Sequence, residues 1–195
     1  MLICVAVWWN GDRLPDLPPL SSFSVHVSTD RPFIANMADL SLGEVHARFD
    51  NGHRCYLASV DNTPVAYGWV ATQSGAIDEI GLHAFPILPE SRYLWDFQTL
   101  PAWRGQGIYP QLLQHIVRQE QPSAQRLYIG YVSENEASQR GITKAGFLTV
   151  GALVPAETSQ VAFEPSDVAD VVDTSERSQE AARFFQVPVV SMQAL

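Results

Sequence analysis

The chain has 195 residues, 46% apolar and 17% charged, proportions of a globular protein with enough nonpolar side chains for a full core in one domain or one domain with an appendage. Its 12 lysines and arginines against 21 acidic residues give a net charge of −9, and no basic run interrupts the sequence, which argues against a nucleic-acid binder. Cys4 and Cys55 stand in neither a metal-ligand nor a redox spacing, so both are expected as free thiols in a reducing, cytoplasmic setting, and no metal site is expected.

Taken in order, residues 1–9 are apolar but lack a basic flank and are too short to span a bilayer. They read as a strand that stops at Asn10-Gly11, and residues 16–24 read as a Pro- and Ser-rich loop. Residues 23–28 alternate like a strand. The spacing of Leu40, Leu42, Val45 and Phe49 predicts a helix over 35–49, ended by Asn51-Gly52. Two apolar runs, 54–60 and 64–72, flank Asp61-Asn62-Thr63 and predict a β-hairpin. Residues 73–90, broken by Gly75, Gly81, Pro86 and Pro89, predict a short strand or an irregular excursion. An aromatic-rich strand is expected over 91–100.

Ile108, Leu112, Leu113, Ile116 and Val117 share one face of a helix predicted over 107–120, with Pro110 tolerated in its first turn. A strand follows over 126–132. Ser133 and Glu136 suggest a capping box for the next helix, which Gly146 should end. Residues 147–154 read as a strand, and the tail has weak helical periodicity around 181–185, then an apolar run at 187–190. The stretch 155–195 holds Glu157, Glu164, Asp167, Asp170, Asp173, Glu176 and Glu180 against Arg177 and Arg183, a net −5. The order of elements predicts a mixed α/β pattern around one central sheet.

The segment 94–109 carries the chemistry. A strand runs into a loop with Gly105 and Gly107, and the loop opens an amphipathic helix. That geometry aims consecutive backbone N–H groups and the positive end of the helix dipole at one point, a nest suited to a pyrophosphate. The glycines allow close approach, and Arg104 adds a full charge. A P-loop is excluded, because no lysine follows the glycines, and a dinucleotide fingerprint is excluded by Pro110 where a third small residue is needed.

This run resembles the coenzyme motif of the GNAT N-acetyltransferases. Thr99, Pro101, Arg104, Gly105, Gln106, Gly107, Ile108, Leu112 and Leu113 match it in order, while Tyr109 stands where the family has a small residue. Asn135 and Ser138, followed by Gly146-Phe147, are similar to the family's later helix, with Ile142 where the family often has a tyrosine acid. The resemblance covers about residues 23–154. It implies a GNAT-type α/β fold, a central, mostly antiparallel twisted sheet flanked by helices, with residues 23–162 as the transferase domain, 1–22 as a strand-and-loop extension and 163–195 as an acidic extension outside the coenzyme site. It also implies acetyl transfer from acetyl-CoA to a primary amine of a small molecule or peptide by direct attack, with no nucleic-acid or membrane partner and with a homodimer compatible. The coenzyme set it implies is Gln98, Thr99, Leu100, Arg104, Gly105, Gln106, Gly107, Ile108, Tyr109, Asn135 and Ser138. Such a transfer needs a base for the amine and a donor for the thioester oxygen. Asp96 and Glu79 are the candidate bases, with His83 behind them. Tyr131 and Tyr109 are the available acids. An acyl-CoA-binding module without turnover, and an interaction protein with an acidic tail, are the competing readings.

Overall fold

The computed structural model describes residues 2–156, 161–166 and 172–190. Ten strands form in chain order: β1 (Ile3–Trp9), β2 (Phe23–Ser28), β3 (Arg54–Val60), β4 (Thr63–Ala71), β5 (Ser74–Ile77), β6 (Leu82–Pro86), β7 (Ser91–Thr99), β8 (Arg126–Val132), β9 (Leu148–Pro155) and β10 (Val161–Pro165). The helices are α1 (Arg31–Ala38), α2 (Leu42–Asp50), α3 (Ile108–Glu120), α4 (Glu136–Ala145) and α5 (Val172–Phe185). Eight strands make one sheet in the order β10-β9-β1-β8-β7-β4-β3-β2, and every neighbouring pair is antiparallel except β7–β8. Strands β5 and β6 pair separately as a hairpin. This is the mixed, mostly antiparallel architecture expected from the sequence.

Strand β1 lies inside the sheet, between β8 and β9. Its residues alternate between two covered faces: Ala6 and Trp8 join the layer under α3 and α4, and Ile3, Val5 and Val7 join the layer under α5. Burial on both faces explains why the strand reads as an uninterrupted apolar run. A third cluster, including Ile34, Val45, Cys55, Leu57, Tyr67 and Trp69, seats α1 and α2 against β3 and β4.

The single helix expected over 35–49 is two helices. Asp39 turns left-handed at φ 55° and ends α1, and Ser41 begins α2 through a reciprocal capping box with Glu44. The Ser-x-x-Glu spacing at 41–44 is the local signal that interrupts the longer periodicity. The capping expectation for the next helix shifts: Asn135, not Ser133, caps α4, its side-chain oxygen accepting from the Ser138 N–H at 3.0 Å. The hairpin of β3 and β4 forms as expected, with Asp61 and Asn62 both at positive φ in a two-residue turn of the kind that matches strand twist. The 73–90 excursion is an ordered hairpin, and it buries Phe85 and Ile87 against the α5 layer.

Helix α5 is longer than the weak periodicity suggested. Phe184 stacks on Tyr128 at 3.9 Å between centroids, and Phe185 is fully buried. Arg177 donates to both oxygens of Asp12 at 2.6 and 2.8 Å and lies over the Trp9 ring, joining α5 to the end of β1. At the C-terminal end of α3, Glu120 is wholly buried. It accepts from Arg54, from Tyr56 at 2.6 Å and from Arg92 at 2.7 Å, and Arg92 also donates to the carbonyls of Pro89, Ser91 and Ser123. Among the described residues, no helix is long and apolar enough to cross a membrane.

Candidate functional site

The site begins where the sheet comes apart. Strands β7 and β8 pair in parallel only from Ser91 to Leu94 against Arg126 to Ile129. Beyond Leu94 they separate, and a cavity of about 720 Å³ opens between them and the first turns of α3 and α4. The cause is local to β7. Asp96 sits at φ +49°, and the register against β4 shifts there, so that Tyr67 faces Gln98 while Trp69 faces Trp95. The extra residue is a β-bulge, which bends the strand. Gly68 on β4 makes room for it, because a Cβ there would lie 2.0 Å from the Phe97 ring.

The loop after β7 forms the outer wall. Gly105 and Gly107 have φ of +77° and +81°, a region that favours glycine, and a Cβ on either would meet nothing within 4 Å. The space beside them is therefore open to a ligand. Gly107 caps α3 without any side-chain hydrogen bond. The first N–H groups of the helix, which no intrahelical carbonyl can reach, are aimed out of the helix end with the positive end of its dipole. Arg104 is exposed at the same rim, its Nε donating to the Thr99 carbonyl at 3.0 Å.

The inner end carries the titratable groups. Asp96 lines the cavity and is 31% exposed, and Arg48 of α2 donates to it at 2.5 Å. The Arg48 guanidinium lies between the rings of Trp69 and Trp95, 4.9 and 4.4 Å from their centroids. Tyr67 shares a hydrogen bond with Asp96, and burial, then the Asp96 charge, push its phenol up to about 12. Tyr131 on β8 is buried, its hydroxyl paired with Thr149 at 3.0 Å, and burial raises its pKa. Tyr109 fills the gap between α3 and α4. A Cβ on Gly141 would come within 2.4 Å of its ring, its hydroxyl bonds to Ser138, and burial pushes it up to about 12. The departure from the motif at Tyr109 is thus matched by an absent side chain at Gly141. Ile142 is wholly buried in the core.

Of the residues singled out by sequence, the structure brings Asp96, Gln98, Thr99, Arg104, Gly105, Gly107, Ile108, Tyr109, Tyr131, Asn135 and Ser138 to this one cavity. Three of the set lie elsewhere. The Leu100 N–H is bonded to the Val65 carbonyl, and the Gln106 side chain turns back to the Ala102 carbonyl. Glu79 is exposed in the turn between β5 and β6, outside the cavity lining, as is His83, which bonds to Asp78. Sequence reasoning assigned no site role to Gly68, Arg48, Arg140, Gly141 and Lys144. Only the spacing of Ala137, Gly141 and Lys144, three and four residues apart on one helix face, could have pointed to the last two.

A parallel strand pair that parts around a cavity, closed by a glycine loop and an uncapped helix start, defines an α/β domain with an open polar cleft at one end of its sheet. Residues 21–147 match the Acetyltransferase (GNAT) family, and the chain belongs to it. Solved structures share the fold at low identity. A GNAT-family protein from Novosphingobium aromaticivorans is 15% identical with a TM-score of 0.54, covering 78% of this chain, which spans 62% of that protein's length. AAC(6')-Iy, solved with the bisubstrate analogue CoA-S-monomethyl-acetylneamine, is 15% identical with a TM-score of 0.50, covering 66% of this chain and 92% of its own. The yncA protein from Salmonella typhimurium, solved with its cofactor acetyl-CoA, is 16% identical with a TM-score of 0.50, covering 69% and 84%. No curated protein matches the chain in sequence.

Proposed function

We propose that the protein transfers an acetyl group from acetyl-CoA to the primary amine of a small molecule or peptide, by direct attack with both substrates bound. The observation that carries this is the continuity of the cavity, which runs from an uncapped, glycine-rich helix start to a carboxylate on a bulged strand. The CoA-containing bisubstrate analogue in AAC(6')-Iy and the acetyl-CoA in yncA support the choice of acyl donor.

Each chemical requirement finds a residue. An alkylamine with a pKa of about 10.4 is almost wholly protonated at neutral pH and must lose a proton before it attacks. Asp96, partly exposed at the cavity wall, takes that proton directly or through water. The thioester oxygen gains charge as the amine adds. Alternate N–H groups along a strand point to opposite edges. Since the Leu100 N–H goes to β4, the Thr99 N–H points the other way, into the cleft, as the donor for that oxygen. The departing thiolate belongs to a thiol of pKa about 8.5, a tolerable leaving group without a dedicated acid. Tyr131 and Tyr109, phenols that hold their protons at neutral pH, stabilise it as hydrogen-bond donors.

The test is release of free thiol from acetyl-CoA across a panel of amines. Asp96→Asn is expected to lower kcat about 100-fold while calorimetry shows unaltered coenzyme affinity, and Tyr131→Phe to lower it less. An Asp96→Asn variant that keeps the wild-type rate and its alkaline rise would make Asp96 structural. The burial of Ile142 favours one second reading, a catalytically weak acyl-CoA-binding module. Coenzyme binding without turnover on any amine would support it.

A further inference from the structure

Among the described residues, Asp96 is the one carboxylate in the cleft lining, and its charge is already matched. Arg48 donates to it from the last turn of α2. The Arg48 side chain is only 15% exposed, and its guanidinium is held between the Trp69 and Trp95 rings, so it leaves Asp96 only by giving up both aromatic contacts. The ionisable groups packed around the pair are neutral at pH 7. On β4, the Tyr67 phenol bonds to Asp96 and is pushed up to about 12 by burial and then by the Asp96 charge. On β3, burial pushes the Cys55 thiol up to about 12. Just before β3, burial lowers the pKa of His53, whose Nε2 meets the Ser74 carbonyl at 3.1 Å. Glu44, four residues before Arg48 on α2, is exposed and accepts from the Ser41 N–H, where water and salt screen it.

The inner end of the cleft is therefore polar but without net charge. The other charged residues of the lining, Arg104, Arg140 and Lys144, are all cations. A protonated amine on this wall would exchange water for a carboxylate that a guanidinium already holds, an unfavourable exchange for a charged group. A neutral amine loses far less on entry, and it keeps the lone pair that attacks. We propose that the acceptor enters as the neutral amine, so that the protein selects weakly basic primary amines, such as a peptide α-amine, over lysine-like alkylamines. This rests on the acetyl-transfer reading above and narrows its acceptor. The lone pair of the neutral nitrogen adds to the thioester carbon. The C–S bond breaks with its electron pair on sulfur, and the proton that nitrogen sheds passes to Asp96 and through water to the thiolate. At pH 7 an α-amine of pKa about 7.8 is neutral in roughly one molecule of seven, and an alkylamine of pKa about 10.4 in roughly one of 2,500.

The experiment measures kcat/KM for primary amines of graded basicity, among them the α-amine and the lysine amine of one unblocked peptide, with the acetylated position assigned by mass spectrometry. At pH 7 the α-amine is expected to be preferred by about tenfold or more. For every amine that reacts, kcat/KM should climb with pH up to that amine's own pKa, because the neutral form is the one that binds. Arg48→Gln leaves Asp96 without its cation, so the preference should shrink to about threefold or less as KM for alkylamines falls, at unchanged coenzyme affinity. Arg48→Lys keeps the charge and should keep the preference, whereas a role in packing alone would impair both variants alike. A wild type that acetylates alkylamines as fast as α-amines, or whose kcat/KM is flat below the acceptor's pKa, would overturn the selection and leave acetyl transfer standing. A folded Arg48→Gln variant with the full preference would overturn it too. The wild-type profile decides the matter even where a variant fails to fold. If no amine is acetylated, the transfer reading falls and the selection falls with it.

Discussion

Helix α3 starts at a left-handed Gly107 that no side chain caps, and it ends at a Glu120 that receives four hydrogen bonds from three side chains. The two ends are thirteen residues apart in one helix. At the start, polar groups face open space, glycines hold positive φ, and Arg104 has no carboxylate to hold it. At the far end the carboxylate is fully enclosed. Arg92, almost as buried, has each donor group satisfied by Glu120, Ser123 or a nearby carbonyl. Buried charge is tolerated only when its partners are complete, so the closed end is a device of the fold. The open end is polar structure left for a ligand to complete. Charge alone does not separate a site from a strut. The state of its partners does.

The comparison can be broken first at the closed end. Glu120→Ala leaves Arg92 buried without its carboxylate, and unfolding in denaturant is expected to show a loss of about 3–5 kcal/mol, while the folded fraction keeps its coenzyme affinity. The same network sets an acid limit. Burial raises the Glu120 pKa, but the hydrogen bonds from Tyr56, Arg92 and Arg54 outweigh it and hold the carboxyl below its ordinary value of 4.5. A carboxyl depressed in the folded state stabilises fully above its unfolded pKa. That contribution should fade as pH falls from about 4.5 through the folded pKa, and a Glu120→Gln variant should show a flatter stability profile across that window.

At the open end the effect should reverse in kind. Gly107→Val places a side chain in the empty space by the helix start and strains a residue at φ +81°. Coenzyme affinity by calorimetry should fall at least about tenfold, with a stability loss limited to the left-handed penalty of about 1–2 kcal/mol. Unchanged affinity would mean that the open end is not the phosphate site. The last test is at the contact of α4 with the first turn of α3, where only stability is at issue. Gly141→Ala brings a Cβ within 2.4 Å of the Tyr109 ring, an overpacking worth about 1–3 kcal/mol. Tyr109→Ala in the same chain should relieve it, and thermal melts of the two single variants and the double variant would measure the coupling.

The open end was legible in the sequence because it is made of consecutive residues. Arg104, Gly105 and Gly107 between an aromatic strand and an amphipathic helix carry their geometry locally, and so does the turn at Asp61-Asn62. The closed end was not legible. Arg54, Tyr56, Arg92 and Glu120 come from three distant segments, and a buried glutamate has the same letter as a solvated one. The sequence by itself determined most of the elements, the mixed α/β class and the glycine loop before α3, since these follow from periodicity, turn chemistry and glycine. Only the tertiary structure decided that β1 lies inside the sheet, that a bulge at Asp96 over Gly68 parts β7 from β8, and that Lys144 faces the same cleft as Arg104. Those are long-range pairings, set by which surfaces bury one another, and no local pattern records them.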